Sequence, residues 1–376
     1  MGIEIKECVT KSDFRKFVDF VNNFYKDVEQ FVPAFYGDDL ADWDKNKNPA
    51  FDYCEAKAFL CYKDGDLVGR IGAILSHAAN EKFGTKRMRF SQVDFIDDND
   101  VVDALFGAVE AWAKEKGCNE LQGPLGFSDN DREGMLIEGF EKRSMFITYY
   151  NHPYYIDQLT RLGFVKDVDW HEYKIPVPAV GDDYYNLIHS MSERVLKNGN
   201  FHKVPLTNHR QYKPYIVKVF NLINEAYAEL YGVVKLNDKQ IEKYANKFVP
   251  LINPDYCALV VDENDELYAF GVCAPSMARA MQRHKGRLFP IGWISVLHDL
   301  RVNNAVDLLL MAVKPGHRGV GLNAVVLDHI MNSCIKNGIE YAESGPMLEK
   351  NTKMIGQFKS MHLEPHKKRR CFIKEI

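Results

Sequence analysis

The 376-residue sequence contains no apolar run near the roughly 20 residues that cross a bilayer. Its first residues show no secretory pattern, and Lys6 stands where a myristoylation motif needs Ser or Thr. The formal net charge of −4 gives no basic excess to attract nucleic acid or an anionic membrane. We therefore expect a cytoplasmic protein with no membrane span and no nucleic-acid partner.

Paired cysteine motifs are also absent. The 8 cysteines are scattered without a C-x-x-C pair, and some, such as Cys257 and Cys334, lie inside apolar runs. This pattern predicts buried, reduced thiols rather than a disulfide scaffold. No metal site is predicted.

What the sequence does contain is an internal repeat. The length predicts about two domains, and 46% hydrophobic with 27% charged residues is enough to bury cores. The two halves share one order of strands and helices, and a Gly-Pro pair follows the fifth strand of each, at 123–124 and at 345–346. The linker-like stretch around Pro176 and Pro178 predicts domains over residues 1–178 and 179–376.

The most informative stretch is a glycine turn in the second half. A predicted strand, Val306–Val313, stops before Pro315, and an amphipathic helix begins near Leu322. The turn between them contains Arg318, Gly319 and Gly321. Glycines let the backbone approach an anion, and the free amides of a first helical turn bind it, so this turn is predicted to hold a phosphate.

That order, with a phosphate turn before the long helix, resembles the GCN5-related N-acetyltransferase (GNAT) family over nearly the whole chain. The family turn reads Gln or Arg, two residues, Gly, one residue, then Gly or Ala. Here Arg318 and Gly321 match, whereas Asn323 replaces the last small residue. The resemblance implies an α/β (α+β) fold of two tandem domains, each a mixed, mostly antiparallel twisted sheet flanked by helices.

The resemblance further implies an N-acyltransferase whose co-substrate is acetyl coenzyme A or another acyl coenzyme A. The backbone of Met311, Ala312 and Val313 would hold the pantetheine arm. The pyrophosphate and the rest of the donor would contact the remaining implied residues: Arg318, Gly319, Val320, Gly321, Asn323, Asn351 and Phe358. Many members have a proton-donating Tyr where this sequence has Phe358. A non-catalytic acyl-coenzyme A sensor and an aminoacyl-transfer enzyme of the same double fold therefore stay open as alternatives.

The first copy departs from the family at the same turn, which reads Asp97-Asp98-Asn99-Asp100. Three carboxylates would repel a pyrophosphate, by about 4 kcal/mol for each like-charge pair at 4 Å and an effective dielectric near 20. We therefore expect a degenerate first domain in which Asp97 or Asp98 caps the helix. The donor is expected in the C-terminal domain.

Residues for an amine acceptor, small molecule or peptide, are harder to assign. A polar insertion in the first copy, Leu125–Tyr150, offers Asp129, Asn130, Tyr149 and Tyr150 as acceptor-site candidates, although a surface loop or domain contact is the alternative. Glu343, in the predicted fifth strand of the second copy, is the candidate general base, with a structural salt bridge as the alternative.

Two further stretches are ambiguous. The insertion Ser276–Asn304 mixes basic and apolar residues, and predicts either core helices or a lid for a long acyl chain. The basic run Lys367–Arg370 predicts a solvated turn, with a contact to the 3′-phosphate of the coenzyme as the alternative.

Overall fold

The computed structural model describes residues 2–351 and 363–376, and these residues form one continuous 14-stranded sheet with helices on its faces. In chain order the strands are β1 (Ile3–Glu7), β2 (Cys54–Lys63), β3 (Asp66–Ser76), β4 (Arg87–Phe95), β5 (Glu120–Gly123), β6 (Met135–Glu138), β7 (Val165–Pro176), β8 (Phe201–Lys203), β9 (Cys257–Asp262), β10 (Leu267–Pro275), β11 (Ala305–Val313), β12 (Tyr341–Ser344), β13 (Met347–Leu348) and β14 (Glu364–Glu375).

Eleven α-helices flank the sheet in the part of the chain that the structure describes. They are α1 (Lys11–Phe24), α2 (Tyr36–Asp42), α3 (His77–Phe83), α4 (Asn99–Glu115), α5 (Tyr154–Arg161), α6 (Asp183–Lys197), α7 (Lys213–Ala226), α8 (Asp238–Phe248), α9 (Ala278–His284), α10 (Gly292–Asp299) and α11 (Leu322–Lys336). Hydrophobic periodicity predicts helices over residues 238–248, 322–336 and 351–361. The first two are confirmed as α8 and α11, whereas residues 352–361 lie outside the described residues. No described helix has the length and apolar character needed to cross a membrane.

The predicted mixed, mostly antiparallel sheet is confirmed. Of the pairings described, β4 with β5 and β11 with β12 are parallel, and they occupy the same place in the two copies. The ladder between β3 and β4 is irregular near Gln92, and the ladder between β10 and β11 is irregular near Leu309. The two copies therefore share an interruption of the strand that precedes the turn, as well as the order of their elements.

The two copies exchange their last strands. The sheet runs β1-β2-β3-β4-β5-β14-β7-β12-β11-β10-β9-β8, so β14 of the second copy lies between β5 and β7 of the first. In turn β7 pairs with β12, and it also pairs with β14 from Val165 to Lys174. Each copy's sheet is completed by the other copy's last strand, so hydrogen bonds of the sheet cross the predicted boundary at residue 178.

The prediction that Lys367–Arg370 forms a solvated turn is wrong. These residues lie within the central strand β14, where Lys367 is 3% exposed and Arg369 is 0% exposed. Their charges are compensated because Glu172 of β7 pairs with both of them, and Glu343 also pairs with Lys367. A buried cation needs such partners, and only the pairing of β14 with β7 brings them together.

Candidate functional site

The site begins where two parallel strands separate. Strands β11 and β12 pair only from Ala305 to Leu308, after which the Gly345 amide donates to Leu308 O at 3.1 Å. Beyond that point β11 continues to Val313, whereas the chain after β12 turns away to pair with β7 through β13. A gap therefore opens beside the second half of β11. Leu309 is the bulged residue at its start, opposite no residue of β10.

A cavity of about 350 Å³ lies beside this gap. It lies between β10 and β11 on one side and helices α7 and α8 on the other. The wall is largely apolar, and side chains of the core between these elements form much of it: Ile216, Val219, Phe220, Ile223, Leu259, Phe270, Val272 and Leu310. Such a wall suits an alkyl chain and leaves few groups to bind a polar ligand along its length.

Acidic side chains of the first copy close one part of this cavity. The insertion after β5 contributes Asp129, Asn130, Asp131 and Glu133 to its lining. Asp131 is engaged structurally, because its carboxylate accepts from the Ser128 amide at 3.0 Å and from Tyr244 Oη at 3.2 Å. The insertion is thereby fixed against α8 of the second copy.

Of the three carboxyls in this lining, those of Asp129 and Glu133 have the fewest hydrogen bonds to stabilise a negative charge. The Oδ1 atom of Asp129 is buried and has no hydrogen-bond partner among the described residues. Burial raises the pKa of Asp129 to about 6, and burial together with the charge of Asp129 holds the pKa of Glu133 well above its usual range. Asp129 is therefore able to take up a proton near neutral pH, and its surroundings favour the protonated form of Glu133.

A tyrosine marks the other end of the site. Tyr227, directly after α7, donates from its hydroxyl to Met311 O at 2.9 Å, and burial raises its pKa to about 12. It therefore keeps its proton at neutral pH. The neighbouring carbonyl of Ala226 accepts from Arg318 Nη2 at 3.0 Å, so the end of α7 connects the glycine turn to β11.

The glycine turn has the predicted form. Gly319 has φ 91° and Gly321 has φ 98°, backbone conformations that favour glycine. A Cβ on Gly321 would also lie 2.9 Å from Val195 Cγ2 of α6. Gly321 is the N-cap of α11, and no side chain caps this helix. An anion can therefore approach the first backbone amides of α11 without meeting a capping side chain.

The same turn in the first copy is capped by its own carboxylate. Asp98 accepts from the amides of Asp100 and Val101 at 3.1 and 3.2 Å, and it also pairs with Lys63. Of the two caps that the sequence predicted, the structure therefore selects Asp98. Gln158 of α5 binds Asp97 as well, at 2.8 Å.

The backbone groups at the end of β4 are occupied too. Phe95 ends β4 as Val313 ends β11, and its amide donates to Tyr155 Oη at 2.9 Å. Its carbonyl accepts from Tyr154 Oη at 2.6 Å. In the first copy, side chains thus bind both the first amides of α4 and the backbone at the end of β4.

The other residues expected at the acceptor site lie apart from the cavity. Tyr149 packs under Arg132, whose guanidinium lies 4.7 Å from the ring centroid, and Tyr150 donates to Phe140 O at 3.4 Å. Glu343 pairs with the buried Lys367 and is not among the residues that line the cavity. Burial raises the pKa of Glu343, and its carboxylate faces Lys367 of β14.

The remaining residues implied for the donor site are divided. Met311 and Asn351 line the cavity, and the Asn351 amide donates to Leu348 O at 2.9 Å. Ala312 points into the core with α7 and α8, so only its backbone is available to a ligand. Asn323 lies in the first turn of α11. Phe358 lies outside the described residues.

Sequence reasoning missed Glu133 and Tyr227. Glu133 stands in the insertion already singled out, four residues after Asp129, and its burial was the missing information. Tyr227 lies inside the helix predicted over residues 211–230, whereas α7 ends at Ala226, and nothing in the local sequence indicates that the hydroxyl of Tyr227 reaches β11.

No protein-family profile matches the chain. It is similar to protein YghO of Escherichia coli K12, with 24% identity over 384 residues that cover 99% of this chain and 95% of that protein. It is also similar to the bacterial ceramide synthase of Caulobacter vibrioides, with 27% identity over 273 residues, or 71% of this chain and 69% of the relative.

Among solved structures, a tandem GNAT protein from the clavulanic acid biosynthesis pathway has a TM-score of 0.57. It is 13% identical, and the alignment covers 100% of this chain and 98% of that one. A GCN5-related N-acetyltransferase from Sphaerobacter thermophilus has a TM-score of 0.51 at 9% identity, covering 99% and 95% of the two chains.

Proposed function

We propose that this chain, whose fold is that of a tandem GCN5-related N-acetyltransferase, transfers a long-chain acyl group from acyl coenzyme A to the amine of a long-chain acceptor. The observation that carries the proposal is the cavity. Its wall is largely apolar, and it is lined both by residues of β11 beside the gap and by the carboxyls of Asp129 and Glu133. An acetyl group would occupy only a small part of it.

The donor is assigned to the second copy. In this assignment the amides at the start of α11 and the side chain of Arg318 bind the pyrophosphate, and the backbone of β11 from Met311 to Val313 binds the pantetheine arm. The uncapped Gly321 supports it, and so does the contrast with the first copy, where Asp98 and Tyr155 occupy the matching groups.

A long acyl chain fits the chemistry of the cavity wall. Each methylene moved from water into an apolar site contributes about 0.8 kcal/mol to the binding free energy. A mostly apolar cavity therefore favours long-chain donors over acetyl coenzyme A. The Caulobacter relative, a ceramide synthase by name, supports the same choice, because a ceramide is an amide of a fatty acid and a long-chain amino alcohol.

The reaction needs a base, an oxyanion donor and an acid. We assign Asp129 as the base that takes a proton from the acceptor ammonium, after which the free amine attacks the thioester carbon. We assign the amide of Leu309, the bulged residue of β11, to stabilise the tetrahedral oxyanion. As the carbon–sulfur bond breaks, Tyr227 protonates the leaving thiolate, and the proton that the nitrogen of the intermediate loses returns to Tyr227, which yields the amide and coenzyme A.

The assignment of Tyr227 also answers the difficulty raised by Phe358. A proton donor from the end of α7 replaces the tyrosine that many GNAT proteins carry near the last helix. The non-catalytic sensor is then an outcome of the test rather than a second proposal. No feature of the cavity favours an aminoacyl donor.

Thermal unfolding and product analysis together test the proposal. Acyl coenzyme A at 100 times its dissociation constant should stabilise the protein by about 2.7 kcal/mol. Arg318→Glu should abolish this stabilisation, whereas Arg15→Glu, a charge reversal on an exposed residue of α1, should leave it unchanged. If neither acetyl nor palmitoyl coenzyme A stabilises the protein, the donor assignment fails.

The second measurement separates an enzyme from a sensor. The protein is incubated with acetyl, octanoyl or palmitoyl coenzyme A and a long-chain amino alcohol, and amides are detected by mass spectrometry. We expect the palmitoyl amide to form fastest. Donor binding without an amide from any donor would indicate a sensor, and preferential formation of the acetyl amide would contradict the role of the cavity.

A further inference from the structure

An apolar ridge protrudes from the insertion between β10 and β11. Five large side chains within nine residues are mainly exposed: Phe289 (80%), Ile291 (59%), Trp293 (45%), Ile294 (53%) and Leu297 (44%). We call these five residues the apolar ridge. Single exposed hydrophobic residues are ordinary on protein surfaces, but a continuous group of this size usually marks a contact.

The fold holds the ridge in this exposed position. Helix α10 buries Gly292, Val296 and Asp299 on its inner side, and its outer side presents Trp293, Ile294 and Leu297. Gly292 packs so closely that a Cβ there would lie 2.0 Å from Arg287 O. The Asp299 carboxylate accepts from the Ala280 amide at 2.8 Å, which ties α10 to α9. The ridge is therefore an outer face of an anchored helix.

The only polar atom of the Trp293 side chain is satisfied within the ridge. Its Nε1 donates to Pro290 O at 3.1 Å. The indole can therefore leave water without losing a hydrogen bond, which removes the main penalty for burying a tryptophan. Tryptophan is also enriched where proteins meet the membrane–water interface.

The segment that carries the ridge is rich in basic residues. The segment Ser276–Asn304 contains five Lys and Arg residues and a single acidic one, Asp299, in a chain whose net charge is −4. Arg283, Lys285 and Arg301 are exposed and form no ion pair with any described residue. The whole-chain charge predicted no attraction to an anionic membrane, but it averages away this local excess.

We infer that the apolar ridge and its basic rim dock this protein onto an anionic phospholipid bilayer. The ridge would enter the boundary between headgroups and acyl chains, where the arginines meet lipid phosphates. A second copy of the chain is a poorer occupant, because an isologous contact would place the same positive rim opposite itself. The inference stands on the surface alone and does not depend on the proposed reaction.

Docking at this place would also bring the cavity close to the bilayer. The helices that carry the ridge pack on a small core in which Val296 meets Met277 and Phe146. Met277 and Phe146 also line the cavity. Substrates with long alkyl chains partition into bilayers, so the ridge lies on the side from which they would arrive.

Intrinsic fluorescence tests the docking directly, because Trp293 is the exposed tryptophan among four. Trp43, Trp112 and Trp170 are at most 5% exposed. Phosphatidylglycerol-rich vesicles should shift the emission to the blue and protect it from acrylamide, whereas pure phosphatidylcholine vesicles should not. Trp293→Phe should remove the fluorescence change while vesicles still sediment the protein.

Two surface variants measure what each part of the site contributes. Phe289→Ser with Leu297→Ser should weaken vesicle binding at least about tenfold, because two large apolar side chains no longer enter the lipid. Arg283→Glu with Arg301→Glu should weaken it at least about tenfold as well, since each basic residue near the surface contributes about 1 kcal/mol. Val180→Ser with Val217→Ser, at positions 67% and 55% exposed elsewhere, is the matched control and should bind as the unmodified protein does.

Several outcomes would overturn the inference. One is that the protein binds neither vesicle, and another is that the control variant loses as much vesicle binding as the other two. Unchanged vesicle binding by both the Phe289/Leu297 variant and the Arg283/Arg301 variant would overturn it as well. If sedimentation velocity shows a dimer that Phe289→Ser with Leu297→Ser dissociates, the ridge is a contact between copies. Binding to both vesicle types with equal affinity would refute the role of the basic rim.

Discussion

Replacing Asp129 with Asn should make the protein more stable and inactive at the same time. In the folded chain burial raises the pKa of Asp129 from 3.8 to about 6. At neutral pH the folded protein therefore contains a carboxylate that is less stable there than it would be in water. The isosteric amide removes that charge without changing the volume of the side chain.

The magnitude follows from the pKa difference. Raising the pKa from 3.8 to about 6 corresponds to about 3 kcal/mol, at 1.36 kcal/mol per pH unit. Because the folded pKa is raised, the unmodified protein has its full stability below the unfolded value and loses it as the pH rises through about 6. The advantage of Asp129→Asn should therefore be up to about 3 kcal/mol at pH 7.5 and about 1 kcal/mol near pH 4.5.

Urea unfolding followed by circular dichroism at the two pH values measures this difference. Asp66→Asn, at an exposed position of β3, is the matched control and should change stability by less than about 0.5 kcal/mol at both. If Asp129→Asn is no more stable than the unmodified protein at pH 7.5, or if its gain in stability is not smaller at pH 4.5, then burial of the Asp129 charge does not destabilise the fold. Stabilisation with full activity would confirm the electrostatics and contradict the assignment as base.

Three further predictions concern other parts of the site. Tyr227→Phe should lower turnover about 100-fold with little change in donor affinity, since it removes the proposed proton donor; an unchanged rate in single-turnover assays would exclude that role. Asp98→Ala should cost about 1 kcal/mol in thermal unfolding through loss of the helix cap without creating a second donor site, because Tyr154 and Tyr155 still occupy the backbone of β4. Ile223→Trp should shift the preferred donor towards octanoyl coenzyme A by filling the cavity, and an unchanged chain-length profile in the amide assay would mean that the acyl chain lies elsewhere.

Local patterns were sufficient for the fold. Periodicity and the glycine turn predicted α11 to the residue, and the GNAT resemblance that they supported is confirmed at the level of fold. The strand exchange escaped prediction because β7 and β14 have similar lengths and each finishes a copy. Nothing in the sequence of either strand indicates that β14 pairs with β5 and β7 with β12, rather than the reverse. The basic run of β14 was misread for the same reason, since its partner Glu172 lies in the other copy.

The candidate site was predictable on the donor side and much less so on the acceptor side. Phosphate binding at a helix start is local, so residues 318–321 were sufficient to indicate it. The acceptor side depends on burial, which separates Asp129 from Tyr149 and Tyr150 although all three belong to one insertion. Glu343 had a suitable strand position, but its pairing with Lys367 depends on β14, more than 20 residues later in the chain.

The strand exchange gives a physical reason why residues of the first copy line a cavity in the second. Strand β14 pairs with β5, and the insertion that carries Asp129 starts directly after β5. The sheet therefore fixes that insertion relative to the second copy, where Tyr244 of α8 binds Asp131. A flexible linker between two independent domains would not hold a carboxyl at a defined place in the other domain's cavity. In the proposed arrangement the second copy would bind the donor, and the first copy would hold the acceptor side in place.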